Sequence, residues 1–92
     1  MFLNMSNGSF EDGELIGKIT HYYSKIGVAI IELAGDLKAG DKIKIKEGES
    51  EFEQEVESME IEHQKVKDAK KGDVIGLKVN EKVKEGTLVY KI

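Results

Sequence analysis

Residues 42–57 admit few conformations. Lys42, Lys44 and Lys46 alternate with Ile43 and Ile45, and glutamate then occupies every second position from Glu47 to Glu57. A repeat of two residues is the period of an extended strand and cannot form one face of a helix. A turn over 47–50 predicts a hairpin that sets Lys46 against Glu51, Lys44 against Glu53 and Lys42 against Glu55, with Ile45 against Phe52. Opposed charges of this kind contribute about 0.2–1 kcal/mol per pair. The predicted hairpin has an apolar face and a solvated lysine–glutamate ladder that needs no bound cation.

Beyond the hairpin the apolar parity flips. Phe52 and Val56 are even, whereas Met59 and Ile61 are odd. An extra residue restores the phase, which predicts a β-bulge near Glu57-Ser58 in a long bent strand, as at a barrel corner. This strand opens the stretch Glu55–Val79, around which the chain is organised. Val56, Met59 and Ile61 supply its first apolar positions and Ile75, Leu77 and Val79 its last, while Ser58, Glu60, Glu62 and His63 form a polar edge. Gln64 to Lys71 reads as a polar connection, a turn of helix at most, anchored by Val66 and Ala69.

One turn device recurs: Lys38-Ala39-Gly40-Asp41, Lys70-Lys71-Gly72-Asp73 and Lys84-Glu85-Gly86-Thr87. Its glycine supplies positive φ, and β-formers follow it. Leu15 to Tyr22 reads as a strand in which Gly17 marks a bulge or close backbone approach. Ser24 to Gly27 reads as a turn, and Val28 to Leu33, nearly all β-branched, as a buried strand. Val74–Val79 and Thr87–Ile92 complete six expected strands without a helix, the pattern of a β-barrel or sandwich. Residues 1–13 are polar and aperiodic and are expected to be a mobile tail, with Phe10 able to dock on a domain spanning 14–92.

Composition narrows the chemistry. There are 14 basic and 18 acidic residues, a net charge of −4, and every basic residue is lysine. Such a field is mildly repulsive to phosphate, so any RNA contact is local. The chain has no cysteine, which excludes disulfides and thiolate metal sites. No apolar run approaches the roughly 20 residues of a membrane helix. Met1-Phe2-Leu3 is too short for a signal-peptide core, so the expected setting is cytoplasmic. His21 and His63 read as edge histidines rather than metal ligands. No phosphate-cradling glycine loop points to a nucleotide, and neither Ser24 nor Ser58 has a base nearby in sequence. The expectation is a protein without catalytic residues, metal or cofactor. Of Tyr22 and Tyr23, adjacent strand residues facing opposite ways, one is available for stacking on a base.

The ordered set Leu37–Asp41, Val56–His63, Val66, Ala69, Gly72-Asp73, Ile75-Gly76-Leu77 and Lys84–Gly86 resembles the second domain of translational GTPases, the elongation factor Tu and elongation factor one-alpha superfamily. The resemblance implies a free-standing, six-stranded Greek-key β-barrel. It places Glu60 where a strand glutamate contacts the terminal adenosine of aminoacyl-tRNA and His63 nearest a basic helper. Val74 stands where the family carries asparagine. The C-terminal barrel of U32 peptidases is a further relative of this architecture. The implied function is a non-catalytic module that binds tRNA, rRNA or the ribosome through Glu60, Glu62, His63, Lys65, Lys67, Lys70, Lys71 and Tyr22. The alternative is a protein-interaction module serving an enzyme, such as a U32 peptidase-like or RNA-modifying protein.

Overall fold

The computed structural model describes residues 13–92. The expected tail, apart from Gly13, and any docking by Phe10 lie outside them. Ten strands and no helix make up the described chain: β1 (Glu14–Tyr23), β2 (Val28–Leu33), β3 (Leu37–Lys38), β4 (Lys42–Glu47), β5 (Ser50–Glu55), β6 (Met59–Ile61), β7 (Gln64–Val66), β8 (Asp68–Ala69), β9 (Val74–Lys78) and β10 (Leu88–Lys91). Eight of them form one antiparallel sheet in the order β5-β4-β10-β1-β2-β9-β6-β7, and β3 pairs with β8 apart from it. The all-β expectation stands, but a barrel of six strands does not describe it. There are ten strands, and the hydrogen-bonded ladder does not close between β5 and β7.

The hairpin β4–β5 has the expected register, Lys42↔Glu55, Lys44↔Glu53, Ile45↔Phe52 and Lys46↔Glu51. Its ion pairs run diagonally, Lys42 Nζ to Glu53 at 3.6 Å and Lys44 Nζ to Glu51 at 4.0 Å. Diagonal partners across a twisted pair lie within reach of long side chains. Lys44 departs further from expectation, being only 8% exposed. It lies between Tyr90 of β10 and Glu53 of β5 in the register, a neighbour that only non-local pairing supplies.

No bulge in one bent strand absorbs the parity flip. β5 stops at Glu55, Val56 still bonds to Gly40 and Asp41, residues 57–58 leave the ladder, and β6 starts at Met59 beside β9. Val56 and Met59 are both buried. The phase changes because the chain crosses from one end of the sheet to the other half. Gln64–Ala69 is also corrected: it forms β7 and β8 instead of a helical turn, although Ala69 is buried and Val66 packs on the core as anchors should. In β1, the ladder slips between Leu15 and Gly17 and again between Ile19 and His21. A Cβ on Gly17 would lie 2.6 Å from Ile31 Cγ2, so the glycine marks both a bulge and a close approach.

The recurring turn device builds the fold twice over. Gly40 and Gly72 have φ of 96° and 94°, the left-handed position of a type II turn. Asp41 Oδ2 accepts from the Lys38 N–H and Asp73 Oδ2 from the Lys70 N–H, each at 2.9 Å. Gly40 donates to the Val56 carbonyl and Val56 to the Asp41 carbonyl, both at 2.8 Å. Gly72 and Leu33 make the same exchange with Leu33 and Asp73, both at 2.9 Å. The mates extend along the strands. Lys42↔Glu55, Lys44↔Glu53 and Lys46↔Glu51 correspond to Val74↔Glu32, Gly76↔Ile30 and Lys78↔Val28. Sheet order β5-β4-β10-β1 thus repeats as β2-β9-β6-β7. Removing either aspartate by Asp41→Ala or Asp73→Ala should cost about 1–2 kcal/mol, an exposed charge-assisted bond in a turn. Urea denaturation would measure this.

Sixteen buried apolar residues form the core between the two halves, among them Ile16, Ile31, Ile43, Met59, Leu77 and Val89. Gln54, like Lys44 and Thr87, is a buried polar residue, at 8% exposure. Its Nε2 donates to the Lys78 carbonyl at 2.9 Å, and its Oε1 accepts from the Asn80 N–H at 2.8 Å. A side-chain amide thereby ties terminal strand β5 to the chain leaving β9.

Candidate functional site

Strand alternation fixes which of the predicted site residues share a surface. Residues paired across a ladder point to the same face. One row reads Tyr22, Ala29, Leu77, Met59 and Val66 across β1, β2, β9, β6 and β7. Ala29, Leu77 and Met59 are fully buried, so this row faces inward. Tyr22 belongs to it, half-buried against the core. Tyr23 is the outward member of the pair, 49% exposed, with its ring edge-on to His21 at 4.4 Å between centroids.

The next row reads His21, Ile30, Gly76, Glu60 and Lys65 and faces outward. Predicted residues Glu60 and Lys65 therefore stand side by side, both exposed. Glu62 and His63 form the two-residue turn joining β6 to β7, with φ of 51° and 68°. That is the left-handed pair of a type I′ hairpin, usually Asn-Gly. Non-glycine residues are costly there, so Glu62→Asn with His63→Gly should raise unfolding free energy by about 1–2 kcal/mol. A denaturant midpoint that falls would sink this reading of the turn.

The other lysines stand apart from the outward row. Lys67 occupies the bend between β7 and β8, where its carbonyl accepts from the Ala39 N–H at 2.8 Å. Lys70 and Lys71 lie in the turn before β9, and the Lys71 N–H donates to Asp36 Oδ1 at 3.2 Å. Their backbones thus serve turn geometry, and of the four lysines only Lys65 shares a strand face with Glu60.

Sequence reasoning missed the apolar members of this outward face. Val28 and Ile30 are half-buried on β2, and Val74 is 49% exposed on β9. Both β2 side chains lean over Gly76: a Cβ there would meet Val28 Cγ1 at 3.5 Å and Ile30 Cδ1 at 3.7 Å. The result is a shallow dimple floored by glycine, walled by aliphatic groups, with Glu60 beyond it and Tyr23 at one end. The available signal was the run Val28-Ala29-Ile30-Ile31, which is apolar on both parities. It was read as a strand buried on both faces. At the rim, His21 Nδ1 lies 3.1 Å from Glu85 Oε2. Among the described residues, no group of three or more His, Cys, Asp or Glu is placed to hold a metal, and no helix is long and apolar enough to cross a membrane.

No protein-family model matches the chain. It is 47% identical over 77 residues to an uncharacterized protease of Methanocaldococcus jannaschii, an alignment covering 82% of this chain and 19% of the protease. It is 37% identical over 78 residues to a collagenase of Porphyromonas gingivalis, covering 83% and 22%. The chain therefore spans about a fifth of the length of the curated relatives it matches. Two solved structures of the C-terminal domain of a Geobacillus thermoleovorans protein assigned to the U32 peptidases superpose with TM-scores of 0.81. Their sequence identities are 20% and 17%, and they cover 85% and 97% of this chain and 99% of each domain.

These likenesses overturn the assignment to translational GTPases, and with it the ribosome, tRNA and protein-synthesis expectations. The residues that carried that assignment, Gly40-Asp41, Ala69 and Gly72-Asp73, make turns and strand anchors that this backbone requires. They report fold and not ligand. The flat expectation that the chain is not an enzyme also yields, since the relatives are named as a protease and a collagenase. The chain has the fold of a U32 peptidase C-terminal domain.

Proposed function

We propose that this chain is a non-catalytic accessory module of a U32 peptidase-like protein. The observation that carries the proposal is the 47% identity over 77 residues, which make up 19% of the protease. On this reading the chemistry belongs to the remaining four-fifths, and the module contributes binding surface. Glu60 and Lys65 act at the rim of that surface, whereas Lys67, Lys70 and Lys71 lie off it. A net charge of −4 without arginine suits a protein partner better than a phosphate backbone.

The test uses the Methanocaldococcus jannaschii protease with its own 77 matching residues deleted, mixed with this chain and followed by sedimentation velocity. A complex that persists after ribonuclease treatment and in high salt is expected. Two separate species at all concentrations would reject the proposal.

A further inference from the structure

The two halves of the sheet share a backbone plan but not an outer surface. In the first, the positions of the β4–β5 pair on this side are Lys42, Lys44, Lys46, Glu51, Glu53 and Glu55, a charged ladder in which Lys44 alone is buried, paired with Glu51. Their mates in the β2–β9 pair include Val74, Gly76, Ile30 and Val28. The charged half is an internal control, because it shows that this backbone accepts lysine and glutamate at these places. Nothing in the fold therefore requires aliphatic groups and a glycine on the outside of β2 and β9. Exposed apolar groups gathered on one face mark a surface that another body covers.

We infer that the outward face of β2 and β9, centred on the Gly76 dimple, is where the module docks on the body of a U32 peptidase-like protein. The inference rests on the accessory-module reading and locates its interface. Three observations choose this occupant. The matched relatives carry about four times as much chain again outside the matched segment, so a large body of the same protein kind exists to cover the face. Half-buried Val28 and Ile30 beside Gly76, with exposed Val74 next to them, offer apolar area for a protein partner to cover. The face carries both signs, Glu32 and Glu60 in register with Lys18, Lys65 and, two residues along, Lys78, which suits the mixed surface of a protein better than a uniformly negative nucleic-acid backbone.

The experiment transplants the charged half onto the apolar one. Val28→Glu, Ile30→Glu and Gly76→Lys together install the residues found at the mates Glu51, Glu53 and Lys44. Binding to the trimmed Methanocaldococcus jannaschii protease, read by titration calorimetry, should weaken at least about tenfold. Circular dichroism should retain the wild-type strand signature. The single exposed variant Val74→Glu, for which folding is not at stake, should weaken binding by a few-fold. Glu51→Gln with Glu53→Gln on the charged half should leave binding within about twofold.

If wild type binds and both the triple variant and Val74→Glu bind equally well, the docking face is wrong and the accessory reading survives. If wild type does not bind, the accessory reading itself fails. A wild-type chain that is dimeric alone, and monomeric as the triple variant, would make a second copy the occupant and overturn the inference.

Discussion

Leu77→Ala should destabilise the domain by about 2–5 kcal/mol, the range for truncating a buried leucine that leaves a cavity. Leu77 has no exposed surface and sits between Ala29 and Met59 in the inward row. Tyr22 and Val66 close the ends of that row, and the flexible Met59 beside Leu77 can refill only part of the gap. A domain of this size holds only about 4–12 kcal/mol in total. The variant should therefore be partly unfolded near the growth temperature of a mesophile. Guanidinium titration decides the matter: a loss below about 1 kcal/mol would mean that the row is not packed as described.

Replacing Gln54 should cost nearly as much for a different reason. Gln54→Leu keeps the bulk but orphans the Lys78 carbonyl and the Asn80 N–H, costing about 2–4 kcal/mol for two part-buried groups. Gln54→Glu separates bonding from packing. A protonated carboxyl can donate to Lys78 and accept from Asn80. The ionised form can only accept, and would set a desolvated charge against a carbonyl oxygen. The folded-state pKa at that position should thus rise above the unfolded glutamate value of about 4.3. A raised folded pKa gives stability that is full below the unfolded value and fades as pH rises through the folded one. Gln54→Glu should therefore match wild type in acid and approach Gln54→Leu near neutrality. Parallel pH profiles for the two variants would show that the amide bonds contribute nothing.

The parts of the fold that were legible in the sequence are those set by local chemistry. The charge alternation of 42–57 and a short turn specify the β4–β5 register to the residue. Gly40, Gly72 and Gly86 take positive φ where the repeated turn demands it. Gly17 marks a bulge because only a residue without Cβ fits against Ile31. What failed depended on distant partners. A parity flip after Val56 is equally served by a bulge or by leaving the ladder, and only the location of β9 decides between them. Lys44 alternates like its neighbours, yet its burial comes from β10, more than 40 residues further on. Residues 64–69, polar apart from Val66 and Ala69, form short strands because β6 and β3 offer them edges.

The candidate site was half legible. Glu60 and Lys65 were singled out and do share a face. The aliphatic groups beside them are hidden in the sequence, because a strand apolar on both parities looks the same whether its second face meets core or open surface. Tyr22 was chosen over Tyr23, and a slip in the β1 ladder between Ile19 and His21 turns the exposed ring to the second of the pair.

The doubled plan of the sheet bears on how the molecule reaches its native state. In one half, β4 and β5 are joined by a tight turn and can zip together within about 1–10 μs. In the other, β2 must wait for β9, with β3 to β8 lying between them in the chain, and closing a longer loop carries a larger entropic cost. The charged hairpin is thus the natural early structure, and the aliphatic face is assembled after it. On the docking reading, a nascent chain offers this face only once β9 has joined β2, and a variant that slows β9 would leave the face incomplete for longer.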